Sequence, residues 1–256
     1  MRELFFLSAA DFVVPRSLVE PGPLFSRTRT TLSCTVAVCV RDNGDIVLVD
    51  AGLSEATCRD PNAILGAMRC RWLGLSTDPA RAIACQLESL GFDRGQVKTI
   101  VATHCHFDHI GGVNAILAAA PGTPVYLGER DFPVVSHPFN QMPPEYPPVA
   151  RIAGLRPASE APLFRVLDTP GHTPGGVSYY LEDFDAGDGA RGLLLSGDTL
   201  FAGSVGRTDF PGGDMATLMA SLRSLKALPP GTLVVPGHGP ETTLAHEFAS
   251  NPFLAG

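Results

Sequence analysis

The chain has 256 residues, 45% hydrophobic and 18% charged, a composition of compact globular proteins that argues against disorder. A net charge of -7 and the lack of a basic stripe argue against a nucleic-acid partner. No apolar run approaches the roughly 18 residues that a helical membrane span needs.

The whole length, 1–256, fits one large α/β domain. The opening apolar run, residues 4–7, is followed soon by Asp11 and reads as a first strand rather than a signal peptide. Residues 31–40 are rich in β-branched side chains and predict a strand. Within it, Cys34 and Cys39 read as buried small hydrophobes. Asp42-Asn43-Gly44-Asp45 predicts a hairpin turn, and residues 46–49 predict the partner strand, which delivers Asp50 to its end. Residues 54–76 predict a helix and loop. The single tryptophan, Trp72, is expected to pack there, with a lid or substrate wall as the alternative. Thr77 or Asp78 caps the next helix, with Pro79 in its first turn, Gly91 past its end and an inner stripe of Ile83, Leu87 and Leu90.

Residues 97–103 predict a buried strand, 113–120 a helix stopped by Pro121-Gly122, 125–127 a strand and 129–135 a short helix. Seven prolines between 136 and 162 predict a loop without regular structure over the site, carrying His137, Tyr146 and Arg151. A strand at 163–167 leads into a rigid Pro-Gly turn around His172. Residues 177–181 and 193–196 predict a hairpin with an acidic, glycine-rich tip. Asp214 caps an amphipathic helix with Met215, Leu218, Met219, Leu222 and Leu225 inward. Residues 233–235 predict the last strand, and His246 lies exposed on a final short helix. Six cysteines without a C-x-x-C pair, in a chain this large, predict free thiols and a reducing cytoplasm.

Three of the seven histidines and an aspartate fall within Thr103-His104-Cys105-His106-Phe107-Asp108-His109. Imidazole and carboxylate are ligands for zinc, iron and manganese. Alternation puts His104 and His106 on one side of an extended segment, whereas Asp108 and His109 follow the start of a turn and point elsewhere. One metal for each pair is the natural geometry; incidental histidines in a polar turn are the rival reading. Cys105, between two candidate ligands, is expected to point away from them and pack, with contact to the site as the alternative. Asp50 is either a turn residue or an acceptor that orients the ligand loop.

The run H-x-H-x-D-H at 104–109 resembles the signature of the metallo-β-lactamase fold superfamily. Four segments continue the pattern in order: Val47-Leu48-Val49-Asp50-Ala51-Gly52, Thr169-Pro170-Gly171-His172-Thr173-Pro174-Gly175, Leu195-Ser196-Gly197-Asp198-Thr199 and Val235-Pro236-Gly237-His238-Gly239-Pro240. The resemblance implies an α/β fold, an αββα sandwich of two mixed β-sheets flanked by helices. It implies one metal on His104, His106 and His172, a second on Asp108, His109 and His238, and Asp198 bridging, with Asp108 and Asp198 as the catalytic carboxylates. The cofactors are then two divalent ions, zinc first, with iron or manganese also suited. A hydroxide shared by them would attack a carbonyl carbon.

Residues 197–214, the Pro-Gly-His-Gly-Pro run and the Asn251-Pro252-Phe253-Leu254 ending look like the glyoxalase II-type (hydroxyacylglutathione hydrolase-like) thioesterases, especially short bacterial ones, and Arg207 is a candidate substrate contact. The chain ends about 18 residues after His238, so the helical glutathione-binding extension of that group is not expected. Residues 52–95 and the proline-rich loop look more like quorum-quenching lactonases, which use a tyrosine beside the substrate carbonyl; Tyr146 and Tyr126 are the candidates. A persulfide dioxygenase would use one iron and leave Asp108, His109 and His238 without metal, and a metal-binding protein without turnover is a fourth reading. The expected partner is a small-molecule ester or thioester, with no nucleic acid and no membrane. A homodimer is compatible with the sequence.

Overall fold

Two mixed sheets face each other with helices on both outer sides. The computed structural model describes residues 1–15, 29–135, 154–185 and 191–254. The strands are β1 (Glu3–Pro15), β2 (Arg29–Val40), β3 (Ile46–Val49), β4 (Leu75–Ser76), β5 (Val97–Val101), β6 (Val125–Leu127), β7 (Leu155–Pro157), β8 (Arg165–Asp168), β9 (Val177–Asp185), β10 (Arg191–Gly197), β11 (Leu200–Phe201), β12 (Ser204–Val205), β13 (Leu233–Pro236) and β14 (Thr242–Thr243). The first sheet runs β4-β1-β2-β3-β5-β6-β7 and the second β14-β13-β10-β9-β8, with β11 and β12 paired apart. In the first sheet β1, β2 and β3 are antiparallel neighbours, whereas β3, β5, β6 and β7 are parallel. In the second, β10 pairs antiparallel with β9 and parallel with β13.

The helices are α1 (Glu55–Arg59), α2 (Pro61–Leu65), α3 (Ala67–Leu73), α4 (Ile83–Ser89), α5 (Phe107–Ile110), α6 (Val113–Ala119), α7 (Phe132–Val135), α8 (Met215–Ser224) and α9 (Leu244–Ser250). Period-two alternation sorts the strand side chains into layers. Val36, Val38 and Val40 of β2 face Ile83, Leu87, Val113 and Ile116 on one flank. Ala37 and Cys39 turn instead toward Tyr179, Leu193 and Leu195 between the sheets. Leu194 and Tyr180 point out to Leu218, Leu222 and Leu244 on the other flank. This is the αββα sandwich. No helix among the described residues is long and apolar enough to cross a membrane.

Several elements depart from the sequence reading for local reasons. Residues 54–76 hold three short helices and a strand: Ser54 and Asp60 cap the first two, and left-handed Gly74 ends the third. Asp78 caps a 3-10 turn, Pro79–Arg81, so α4 starts later and ends at Ser89; Leu90, beyond it, is 37% exposed. The proline-rich stretch recovers a strand at β7, where Pro157 sits at the sheet edge and needs no donor of its own. Leu163 has φ 82° and precedes β8 rather than starting it. Met215, the first residue of α8, lies off its inner stripe and is 42% exposed. The short β14 follows β13, so β13 is not the last strand.

Candidate metal centre

Strand ends build the site. β3 runs into Asp50, β5 leads into the 102–106 segment and then α5, the β8–β9 turn carries His172, β10 runs into Asp198 and β13 leads to His238. The seven candidate ligands, scattered over 135 positions from His104 to His238, meet at this edge.

They form two foci. His104, His106 and His172 make the first, with ring centroids 4.6–4.8 Å apart and His172 Nε2 2.9 Å from His106 Nδ1. Asp108, His109 and His238 make the second: His238 Nε2 lies 3.3 Å from both His109 Nε2 and Asp108 Oδ2. Asp198 stands between them. Its Oδ2 is 3.4 Å from His172 Nε2 and 3.6 Å from His238 Nε2, and its Oδ1 is 3.5 Å from His109 Nε2.

Partners behind the imidazoles select which nitrogen faces inward. His109 Nδ1 donates to Asp50 Oδ2 at 2.8 Å, and His172 Nδ1 donates to the Arg207 carbonyl at 2.6 Å. Thr103 Oγ1 gives its proton to Asp50 Oδ2, so at 3.1 Å it is placed to accept from His104 Nδ1. The Nε2 atoms of His104, His109 and His172 are thereby left for the foci. Asp50 also receives the Thr103 amide, and it holds a left-handed conformation, φ 59°, uncommon outside glycine.

Asp131, absent from the sequence reading, is fully buried and joins two ligand turns. It accepts from the Cys105 and Gly175 amides and the Thr173 hydroxyl. No pattern in the sequence marks it, because its partners lie 26 to 44 residues away. Gly237 is required by space: a Cβ there would press on Asp198 Oδ1 and come within 2.8 Å of His109 Cε1.

Burial among other imidazoles pushes the His104 and His106 basicity well below the ordinary range. Burial also opposes charge on His109, but Asp50, Asp198 and Asp108 prevail and push its pKa up to about 10. His238 is raised likewise, against burial, chiefly by Asp198 and Asp108. Burial opposes ionisation of Asp108, yet His109 and His238 hold its carboxyl well below the usual range.

The residues fit metal ions. His104 Nε2 and Asp198 Oδ1 are buried without a hydrogen-bond partner, and orphaned buried polar atoms are costly unless something satisfies them. Imidazoles, carboxylates and two close foci are a donor set for two divalent cations.

Arg207 lies at the rim. Its guanidinium pairs with Asp209, stacks 4.0 Å from the Phe210 ring and reaches 5.7 Å from Trp72, which is 60% exposed rather than packed. Phe210, not singled out from the sequence, meets the His106 ring at 5.6 Å. Tyr126 is buried in the layer between the sheets, with Arg156 over its ring, which removes it as a tyrosine beside a substrate carbonyl. His137, Tyr146 and Arg151 lie outside the described residues. Cys105 is buried in the core, and His246 is exposed. Cys34 is buried as expected, but its sulfur lies against the second focus.

A family model for the metallo-beta-lactamase superfamily matches residues 30–238. The chain belongs to this superfamily of metallo-hydrolases, and its His/Asp cluster suits a dinuclear site. Among curated proteins it is 38% identical over 176 residues to a probable metallo-hydrolase, YqgX, of Bacillus subtilis, spanning 61% of this chain and 75% of that one. It is 38% identical over 175 residues to a hydroxyacylglutathione hydrolase of Albidiferax ferrireducens, spanning 67% of this chain and 59% of the relative. Among solved structures, TTHA1623 in a di-iron-bound form is 33% identical with a TM-score of 0.60, covering 92% of this chain and 98% of that one.

Proposed function

We propose that the chain is a two-metal hydrolase of small thioesters, with His104, His106 and His172 holding one ion, Asp108, His109 and His238 the other, and Asp198 shared. The observation that carries this reading is the position of Asp198, with one oxygen 3.5 Å from His109 and the other 3.4 Å from His172. Only a carboxylate offers two oxygens for such a task. Two cations bound there, zinc in our reading, would lower the pKa of water to about 7 and polarise the scissile carbonyl.

The chain's own residues do the rest. Asp50 and the Arg207 carbonyl hold the imidazoles in the orientation a metal needs. A thiol leaves with little acid assistance because its pKa, about 8.5, is far below that of an alcohol. No separate general acid is therefore required for a thioester.

The thioester preference is supported by the hydroxyacylglutathione hydrolase relative and by the part that residues 197–214 play. That segment supplies Asp198, holds His172 through Arg207 and lays Phe210 on His106. Parallel assays with S-lactoylglutathione and an acyl-homoserine lactone test it. Faster turnover of the thioester is expected; faster turnover of the lactone would overturn the assignment.

A further inference from the structure

Cys34 lies some seventy residues before the central turn, yet it sits at the second focus. Its Sγ is 3.1 Å from the Asp108 carbonyl oxygen, to which the thiol donates, and the side chain is fully buried. The ligand atoms of Cys34, Asp108, His109 and His238 all lie within 4.8 Å of one another.

Backbone pairing fixes this neighbourhood. Cys34 and His238 form an antiparallel bridge. It is flanked by the Thr35 amide on the Gly237 carbonyl, 2.8 Å, and the Gly239 amide on the Ser33 carbonyl, 3.1 Å. The two residues are thus a non-hydrogen-bonded pair, the arrangement that brings opposite side chains closest and onto the same face. Phe12 packs edge-on against the His238 ring at 5.3 Å and helps hold it beside the sulfur. A second observation points to a ligand here: Asp198 Oδ1, 3.5 Å from His109 Nε2, is buried and has no hydrogen-bond partner.

We propose that Cys34 is a sulfur donor to the second metal position, beside Asp108, His109 and His238. Ligand atoms of one tetrahedral zinc stand about 2.0–2.3 Å from it and so about 3.3–3.8 Å from one another. The group, whose ligand atoms lie within 4.8 Å of one another, therefore has to draw together by up to about 1–1.5 Å at its widest. On coordination the S–H bond breaks, the sulfur keeps the electron pair and the proton passes to buffer. A thiolate in this position favours zinc, iron or cobalt over manganese. The proposal rests on there being a second metal position, not on the choice of substrate.

Cobalt(II) loading of the metal-free protein tests it without reference to activity. A thiolate-to-cobalt charge-transfer absorption in the near ultraviolet is expected as the second ion binds, absent from Cys34→Ser loaded to the same level. Outer partners of metal ligands change affinity by about 10–100-fold, so Cys34→Ala is expected to weaken the second cobalt by at least about tenfold. A wild-type protein holding two cobalt ions without the absorption overturns the proposal, as does an absorption that persists in Cys34→Ser. Because the wild-type spectrum alone can refute it, the test survives a variant that fails to fold. The cobalt count, read separately, tells failure of the two-metal account from failure of the Cys34 assignment.

Discussion

Asp198 reaches both foci with one carboxylate. Replacing it with alanine is expected to cut hydrolysis about 10²–10³-fold, the scale of losing one preorganised electrostatic group, with the circular dichroism spectrum unchanged. Near-normal turnover in Asp198→Ala contradicts the shared role. The imidazoles of the second focus predict a proton count. Metal-free His109, with its pKa pushed up to about 10, holds a proton near neutrality, and His238, raised too, holds its own more tightly than an ordinary imidazole does. Zinc must displace them, so at pH 7 its binding releases protons, and its apparent affinity rises with pH. Calorimetry in two buffers of unlike ionisation enthalpy reads that release; none at pH 7 contradicts the assignment. The sign for stability follows from the same direction. A raised histidine stabilises the metal-free fold fully below pH about 6.5, and that contribution fades as pH climbs through about 10.

The ligand turns are held by short elements and buried acceptors. Asp131 ties the segment after β5 to the His172 turn with three hydrogen bonds. Its replacement by alanine strands buried donors, each worth about 1–3 kcal/mol, so a loss of about 3 kcal/mol is expected in urea unfolding. A shift of a few tenths of a kcal/mol contradicts the tie. Strands with clear apolar runs and an Asn-Gly turn were legible, as were the Asp214 cap and the helix after the central turn. Residues 54–76 were not, because their breaks depend on Asp60 serving as the end of one helix and the cap of the next. Strand β7 was hidden by Pro157, whose edge position is a fact of the sheet and not of the segment.

Across the whole molecule, the candidate ligands were readable because most lie just past a strand or in a rigid turn, where pattern and chemistry coincide. Asp50, His104, His172, Asp198 and His238 all carry such local context. Cys34 and Asp131 do not. One sits inside an apolar strand and the other at the head of a short helix, and only the pairing of β2 with the His238 loop or the docking of the β8–β9 turn gives them neighbours. Convergence of seven side chains at one edge of the sandwich is the central claim, and metal stoichiometry tests it most directly. Elemental analysis of the metal-replete protein is predicted to find two tightly held ions per chain; a single ion per chain under those conditions would contradict it.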